Sequence, residues 1–405
     1  MAEIQWFEEA RQVSGLILGA RRRSVTELMR QACEAADLED FGPEPIEEPL
    51  ARLLAAYKND RRLSSLGRLA AKWDVMRLLR NRLILRDREL RDPAVLDRKV
   101  KAPLIITGLP RSGTSFLHRL LAQDPNALTV SSWQLVYPYP DHWAAGPGAG
   151  PDRVQSEFSL FGRISPELMK IHPQHALFPQ ECGEITAHSF RSLRFDATYD
   201  TPSYRQWLRG AGSAGAYRLH RRFLKHLQGE RRGRWVLKWP DHVFALADLK
   251  AQYPDARVIF SHRDPAKALP SLARLTEVLR RPFVRKIEPL SLGEEVVASW
   301  TDGTERMRQA CAEETWPARQ TAHVRFLELV ADPVATVRRL YGELGLPFTI
   351  VLEARLRDYV AGHPRDGYGV NVYDPARYGM RAEALRERLS DYIASFGVEP
   401  EPDGT

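Results

Sequence analysis

The chain has 405 residues, of which 43 % are hydrophobic and 27 % are charged. This composition is typical of a globular protein and excludes a disordered tail, a collagen-like rod and a low-complexity scaffold. The 59 Lys and Arg residues exceed the 52 Asp and Glu residues, so the formal net charge is +7. That charge favours an anionic ligand but leaves nucleic acid, a phosphorylated cofactor and an acidic membrane surface open.

The cysteines and the apolar runs indicate the cellular compartment. Cys33, Cys182 and Cys311 are far apart and form no C-x-x-C pair, which argues against a zinc ribbon, a redox motif and a disulfide framework. The chain begins with an acidic segment, and no stretch approaches the ~18 apolar residues of a membrane-spanning helix. We therefore expect a soluble cytoplasmic protein without a transmembrane segment.

The N-terminal quarter of the chain has helical patterning. Residues 24–27, Ser-Val-Thr-Glu, form a capping box at the start of a predicted helix. Residues 78–90 form a further helical run, and its mixed charges predict a solvent-exposed face. The sequence thus predicts a helical N-terminal extension over residues 1–98.

From residue 103 onward, short apolar runs alternate with helical stretches. This alternation is typical of a mainly parallel sheet that is covered on both faces. We predict one α/β domain over residues 99–405, with a P-loop-like parallel sheet flanked by helices. The expected strands are at 103–107, 235–237, 258–260 and 324–327, and two of the expected helices are at 116–121 and 381–396.

A glycine loop joins the first predicted strand to the helix after it. Gly108 and Gly113, in Gly-Leu-Pro-Arg-Ser-Gly-Thr-Ser, have the spacing of a P-loop. Backbone N–H groups and the N-terminus of the following helix would converge there on an anion. The candidate phosphate-binding residues are Pro110, Arg111, Ser112, Gly113, Thr114 and Ser115.

The loop differs from a nucleoside-triphosphate site at one position. Thr114 stands where such sites carry the lysine that neutralises the phosphates. The basic residue is Arg111, within the loop. We expect a ligand with one phosphate at the loop and no metal ion. A phosphotransferase that uses ATP and magnesium is the less favoured alternative.

At these residues the sequence resembles the sulfotransferases that depend on 3′-phosphoadenylyl sulfate (PAPS), in particular the branch of bacterial and tyrosylprotein sulfotransferases. In that family the loop G-x-P-[RK]-S-G-T-[ST] holds the 5′-phosphosulfate, and residues 108–115 fit it at every position. A second family signature binds the 3′-phosphate through a strand-end arginine and a serine eight residues later. Arg263 and Ser271 match it, and Asp264 followed by Pro265 is well placed as the N-cap of the helix that carries Ser271. The resemblance covers about residues 103–350.

A third segment lies between these two signatures. Residues 236–242 resemble the family's strand-end L-K-x-P segment, whose lysine reaches the transferring sulfuryl group; here that lysine is Lys238. The resemblance implies that Arg111 and Lys238 supply fixed positive charge. It also implies that PAPS is the donor, that it is released as adenosine 3′,5′-bisphosphate, and that no metal takes part.

The acceptor's proton needs a general base. Related sequences often carry Glu after Trp in the segment behind the first helix, but this chain has Gln134, which cannot accept a proton. Glu181 and His172 are equal candidates, because they lie in a segment that resembles the family's acceptor side. His175, His242 and Glu184 are weaker candidates.

The acceptor is the least defined part of the prediction. Trp133, Tyr137, Tyr139 and Trp143 lie among prolines and glycines, in either a loop packed on the core or the wall of an apolar pocket. We expect a small-molecule acceptor with a hydroxyl (or an amine), apolar or aromatic in character. The dispersed basic residues argue against nucleic acid.

Three further questions stay open in the sequence. A non-catalytic bisphosphate-binding protein is an alternative, given Gln134. The N-terminal helices either contribute to the acceptor pocket or form the interface of a homo-oligomer. Residues 363–380 form either a loop over the nucleotide, with Arg365 on the 3′-phosphate, or a connector to the last helix.

Overall fold

The structure is a computed structural model, and it describes residues 24–143, 150–363 and 373–402. Arg365 and much of the segment around it therefore lie outside the described residues. The strands are β1 Leu104–Gly108, β2 Ala127–Leu128, β3 Arg234–Lys238, β4 Arg257–His262 and β5 Thr321–Arg325.

Helices connect and cover these strands, and their bounds are as follows. The helices before β3 are α1 Val25–Ala36, α2 Glu47–Asn59, α3 Ser65–Arg91, α4 Thr114–Leu121, α5 Ser132–Val136, α6 Pro151–Ile164, α7 Pro166–Ile171, α8 Cys182–Ala187, α9 Arg194–Tyr199, α10 Pro202–Ala211 and α11 Ala214–Gln228. Those after β3 are α12 Leu246–Gln252, α13 Pro265–Arg280, α14 Pro289–Ala312, α15 Phe326–Ala331, α16 Pro333–Glu343, α17 Ile350–Gly362, α18 Ala382–Arg388 and α19 Ser390–Phe396. Short 3₁₀ helices lie at Pro93–Asp97, Pro140–His142, Pro240–Ala245, Ala318–Gln320 and Pro375–Tyr378.

The five strands form one parallel sheet in the order β2-β3-β1-β4-β5. β1 is at the centre, with Ile105 beside Leu237 of β3 and Val258 of β4. The C-terminal ends of β1, β3 and β4 are therefore neighbours, and ligand sites of open α/β sheets form at such an edge. This arrangement confirms the predicted parallel sheet.

The sheet is buried on both faces because its apolar side chains alternate between two helical layers. Ile105 and Val258 belong to a cluster on one face, and Ile106 and Ile259 belong to a cluster on the other. All five residues of β1 are buried. The period of two in a strand sends successive side chains to opposite faces, which explains the continuous apolar runs in the sequence.

The N-terminal helices α1–α3 pack on helices that follow β2. Leu78 and Leu83 of α3 share a core with Phe190 and Phe195, which lie beside and within α9. Ser24 caps α1 by accepting a hydrogen bond from the N–H of Glu27. The boundary at residues 98 and 99 stays a prediction.

One expectation about these helices is wrong. The charges along residues 78–90 do not form a solvent-exposed face, because Arg82 and Glu89 are buried. Arg82 donates to the carbonyl oxygens of Phe41 and Glu44. The carboxylate of Glu89 accepts three hydrogen bonds from the Arg222 guanidinium. Tertiary partners that are distant in sequence satisfy these charges, which a helical pattern alone cannot show.

Three element boundaries also differ from the expectation. The strand expected at 324–327 is β5, which ends at Arg325, and α15 begins at Phe326. The single helix expected at 381–396 is divided at Leu389 into α18 and α19. β2 was not expected, because its two residues are too few to show a pattern.

Candidate functional site

The glycine loop follows β1 and adopts left-handed backbone angles at two positions before α4. Gly113 has φ of 84° and Arg111 has φ of 64°. Glycine tolerates this region, whereas for arginine it is a strained conformation of the kind found at functional sites. Thr114 then begins α4. The loop thus wraps around the N-terminal end of a helix, which is a place that favours an anion.

Strand β4 holds the loop from the side. Gly108 approaches the backbone of Ser261 so closely that a β-carbon on Gly108 would lie 2.7 Å from the Ser261 nitrogen. The Ser112 hydroxyl lies 2.8 Å from the Ser261 hydroxyl, which donates to the carbonyl oxygen of Ser112 at 3.0 Å. These contacts are buried. They fix the loop to β4, the strand that leads into Arg263.

Arg111, Arg263 and Ser271 lie together at this edge. The Nε of Arg111 donates to the Ser271 hydroxyl at 3.1 Å, and Nη1 of Arg263 donates to the Arg111 carbonyl oxygen at 2.8 Å. Burial, together with the nearby charge of Arg263, lowers the pKa of Arg111 to about 10. Two guanidinium groups this close favour an anion between or beside them.

Arg263 also forms part of the wall of a cavity of about 420 Å³. Its guanidinium lies over the Phe326 ring, 3.8 Å from the ring centroid. The helix that follows is started by Asp264, whose Oδ1 accepts from the N–H of Ala266 with Pro265 at the first helical position. This cap was expected from the sequence, and it directs Arg263 out of the end of β4.

Lys238 ends β3 and connects the loop with the segment of Glu181. Its Nζ donates to the Ser115 hydroxyl at 3.0 Å and forms an ion pair with the Glu181 carboxylate. The Lys238 side chain is 3 % exposed and that of Glu181 is 29 % exposed. The lysine is thus fixed inside the protein, while the carboxylate has access to solvent.

Glu181 and His172 lie close enough for their charges to interact. Burial acts to raise the pKa of Glu181, but the charges of Lys238 and His172 outweigh it and lower that pKa. Burial lowers the pKa of His172 to about 4, against the opposing charge of Glu181. At neutral pH the pair is therefore a carboxylate and a neutral imidazole, and both forms can accept a proton.

Gln134 and the three weaker base candidates have structural partners of their own. The side-chain oxygen of Gln134 accepts from the N–H of Ser131 and caps α5. His242 is buried with its Nδ1 2.6 Å from the Tyr217 hydroxyl. His175 Nδ1 accepts from the N–H of Leu177. Glu184 forms ion pairs with Arg194 and Arg77.

Two residues that the sequence analysis missed are part of this arrangement. Ser261 holds the loop, and Glu401 forms two hydrogen bonds with Arg263. Ser261 is a polar residue in an otherwise apolar strand, and that signal could have identified it. Glu401 lies in a C-terminal stretch with no pattern, so nothing in the sequence pointed to it.

A second, smaller cavity has the side chain of Asp241 in its wall. It measures about 40 Å³, and its wall includes Trp239, Tyr217 and Asp241. Burial and the charge of Glu181 raise the pKa of Asp241 to about 7. Within residues 24–143, 150–363 and 373–402, no group of three or more His, Cys, Asp or Glu side chains is arranged to hold a metal ion. In those ranges no helix is both long and apolar enough to cross a membrane.

The chain belongs to the sulfotransferase family. The model of that family matches residues 103–349, a stretch that begins just before β1 and contains the glycine loop, Lys238 and Arg263. The predicted resemblance is thereby confirmed, and the protein is a sulfotransferase by family.

Several mycobacterial sulfotransferases are similar to this chain. The chain is 26 % identical over 312 residues to omega-hydroxy-beta-dihydromenaquinone-9 sulfotransferase Stf3 of Mycobacterium bovis, a match that covers 74 % of this chain and 77 % of the relative. The crystal structure of sulfotransferase STF1 from Mycobacterium tuberculosis matches with a TM-score of 0.78 and 29 % identity, over 91 % of this chain and 99 % of that one. The crystal structure of STF9 from Mycobacterium avium matches with a TM-score of 0.83 and 28 % identity, over 94 % and 99 %.

Proposed function

We propose that the protein transfers a sulfuryl group from PAPS to a hydroxyl group of an apolar small molecule. The observation that carries the proposal is the position of Lys238, whose Nζ contacts Ser115 of the glycine loop and Glu181. One ammonium group thus adjoins both the proposed donor site and the proposed base. That is the arrangement an in-line transfer between two bound substrates requires.

The residues of the loop fit a phosphate ester. The backbone of residues 110–113 turns around the start of α4, and Arg111 supplies charge beside it. Arg263 and Ser271 fit a second phosphate. Both are in contact with Arg111, because the Arg111 side chain donates to Ser271 and the Arg111 carbonyl oxygen accepts from Arg263. A nucleotide with a 5′-phosphosulfate and a 3′-phosphate would use both places, and the adjacent cavity of about 420 Å³ has room for the nucleoside.

Sulfuryl transfer forms a bond from the acceptor oxygen to sulfur and breaks the bond from sulfur to the 5′-phosphate oxygen. Negative charge grows on the leaving oxygen, and Lys238 and Arg111 stabilise it with fixed positive charge. Thr114 and Ser115 add hydroxyl donors at the start of α4. These groups are positioned before the reaction, so little reorganisation is needed at the moment of transfer.

We assign the general base to Glu181, with His172 as its neighbour. The Glu181 carboxylate contacts Lys238, accepts the proton of the acceptor hydroxyl and passes it to solvent after transfer. His172 has no such contact with Lys238; its neutral imidazole is held near the carboxylate. Because Gln134 caps α5 with its side-chain oxygen, it has no part in this step.

The acceptor site is proposed to lie along the aromatic segment that precedes Glu181. Trp133 and Ser132 donate backbone hydrogen bonds to the carbonyl oxygens of Ala176 and Phe178, so this segment lies beside the chain that leads to Glu181. Tyr137 is buried against Trp143, with ring centroids 4.9 Å apart, whereas Trp133 is partly exposed. An apolar molecule with a hydroxyl at one end suits such a wall, and the relative Stf3 is named for an omega-hydroxy substrate.

Equilibrium binding and transfer test the proposal separately. Calorimetric titration with adenosine 3′,5′-bisphosphate is expected to show tight binding to the wild type and much weaker binding to Arg263→Ala. Incubation with ³⁵S-labelled PAPS and a panel of apolar alcohols and phenols is expected to label at least one acceptor. Binding without transfer to any acceptor would favour a non-catalytic bisphosphate-binding protein, and magnesium-dependent ATP turnover would favour a phosphotransferase.

A further inference from the structure

Glu401, near the end of the described residues, lies against Arg263. Both oxygens of Glu401 accept hydrogen bonds from the Arg263 guanidinium, at 2.8 Å from Nε and 2.8 Å from Nη2. The Glu401 side chain is 1 % exposed. A buried carboxylate in a two-point contact with arginine is a strong and geometrically specific pair.

The same segment is attached to the residue after Arg263. The backbone N–H of Glu401 donates to Oδ2 of Asp264 at 3.0 Å, and Arg386 of α18 donates to the same oxygen at 2.7 Å. Asp264 in turn caps α13. The segment at Glu401 is therefore attached to the residues after β4 through both its backbone and its side chain, rather than through one exposed ion pair.

These contacts hold the Arg263 guanidinium on three sides. The Glu401 carboxylate accepts hydrogen bonds along one edge of the guanidinium, and the Arg111 carbonyl oxygen accepts from Nη1 at 2.8 Å. The Phe326 ring packs against the flat face of the group. Among the described residues, the three hydrogen bonds occupy three of the five N–H groups of an arginine. One N–H remains on each terminal nitrogen, and Arg111, whose carbonyl oxygen accepts from Arg263, also donates to Ser271.

A fixed guanidinium binds an anion better than a mobile one. An unrestrained arginine side chain loses rotamer entropy when it is ordered, and a preorganised one has already lost it. The negative charge of Glu401 also offsets the repulsion between Arg263 and the neighbouring guanidinium of Arg111.

We propose that Glu401 is a positioning residue for the donor's 3′-phosphate. It fixes the direction of Arg263, and it does not touch the nucleotide itself. This inference rests on the proposed function. The opposite arrangement, in which the carboxylate competes with the phosphate for Arg263, would require the buried tail to leave. That arrangement predicts that removing the Glu401 carboxylate strengthens the binding of the bisphosphate.

Calorimetry with two nucleotides tests the inference. Glu401→Gln is expected to weaken binding of adenosine 3′,5′-bisphosphate about tenfold, or 1.4 kcal/mol, and to change binding of adenosine 5′-monophosphate less than about twofold, because only the former has a 3′-phosphate. Glu401→Asp, which keeps the charge, is expected to lose less. Adding Glu401→Gln to Arg263→Ala is expected to cause no further loss. Glu387→Gln, an exposed change on α18, is the matched control.

Each other result overturns the inference. Tighter bisphosphate binding by Glu401→Gln means that the carboxylate competes, and equal losses for both nucleotides mean that the tail only supports the fold. Unchanged binding means that Arg263 does not need Glu401. If wild type does not bind the bisphosphate at all, the proposed function fails as well, so the two failures are distinguishable. If Glu401→Gln does not fold, the same comparison of the two nucleotides is made with Glu401→Asp.

Discussion

The ammonium group of Lys238 lies 3.0 Å from the Ser115 hydroxyl and also contacts the Glu181 carboxylate. Ser115 belongs to the helix behind the glycine loop, and Glu181 immediately precedes α8. One side chain therefore links two segments that are far apart in sequence. In the proposed reaction, a charge at that position acts on the leaving group and on the base at the same time.

Replacing this lysine is expected to affect catalysis more than binding. Lys238→Ala is expected to lower kcat by about 10²–10³-fold, the usual loss when one group that stabilises transition-state charge is removed. Binding of adenosine 3′,5′-bisphosphate is expected to change little, because other residues are the ones proposed to hold the phosphates. Steady-state kinetics and calorimetry measure the two effects, with Lys286→Ala, at an 82 % exposed side chain, as the control. Equal losses in both measurements would contradict the assignment.

The pH dependence of the reaction is expected to reflect two depressed pKa values. The pKa of Glu181 is held below its ordinary value of 4.5, in spite of burial, by Lys238 and His172, and burial lowers that of His172 to about 4. Both groups are therefore in the unprotonated form, which can act as a base, at neutral pH, and they become protonated only at acid pH. The acid limb of kcat/KM is expected below about pH 5, rather than near the ~6.5 of an ordinary histidine.

The two base candidates differ in the expected cost of removal. Glu181→Gln is expected to lower kcat by about 10²–10⁴-fold, and His172→Gln is expected to lower it much less. Rates over pH 4 to 9 for wild type and both variants provide the measurement. A limb near pH 6.5 that disappears in His172→Gln would transfer the role of base to the histidine.

The close approach of β1 and β4 makes a prediction for the stability of the fold. Gly108 has φ of 120°, and a β-carbon there would lie 2.7 Å from the Ser261 nitrogen. Gly108→Ala is therefore expected to reduce the free energy of unfolding by more than about 2 kcal/mol. Gly342→Ala, in α16 with nothing within 4 Å, is expected to increase it by about 0.5–1 kcal/mol. Urea unfolding of both variants checks the pair, and similar changes in the two would contradict the close approach.

Asp241 is expected to make the stability of the protein depend on pH. Burial, together with the charge of Glu181, raises its pKa from 3.8 to about 7. Its ionised form is disfavoured in the folded state, so this contribution to stability is present at low pH and is lost as the pH rises from about 4 to 7. Asp241→Asn is expected to raise Tm by several degrees at pH 8 and to change it little at pH 4.

Thermal unfolding at the two pH values tests this prediction. Asp358→Asn, at an exposed position of α17, removes the same charge without the burial and is expected to leave Tm unchanged at both. A stabilisation by Asp241→Asn that is the same at pH 4 and pH 8 would show that the carboxyl group is not the cause.

The central sheet could be predicted from the sequence because local patterns specify it. β1 and β4 are short apolar runs, and each is followed by a recognisable start of a helix, at Gly113 and at Asp264. Parallel strands that are buried on both faces need short, continuous apolar runs, so this pattern is consistent with few other structures. The glycine loop and the helix cap of Asp264 therefore lie at the positions that the sequence predicts.

The contacts around the site could not be predicted, because they join residues with no local signal. Glu401 reaches Arg263 across 138 positions of the chain. Arg82 and Glu89 have the spacing of an exposed helical face but find buried partners on other elements. A helical period reports which residues share a face, and it does not report what that face meets.

The path of the chain between β2 and β3 has a consequence for how this enzyme could diversify. Residues 129–233 leave the sheet after β2 and rejoin it at β3, and they carry Glu181 and the aromatic segment. Arg111 and Arg263 lie outside this stretch. One continuous stretch of the chain thus carries the proposed acceptor side, while segments after β1 and β4 carry the proposed donor side. Exchange of that single stretch between relatives offers a route to new acceptors with an inherited donor site.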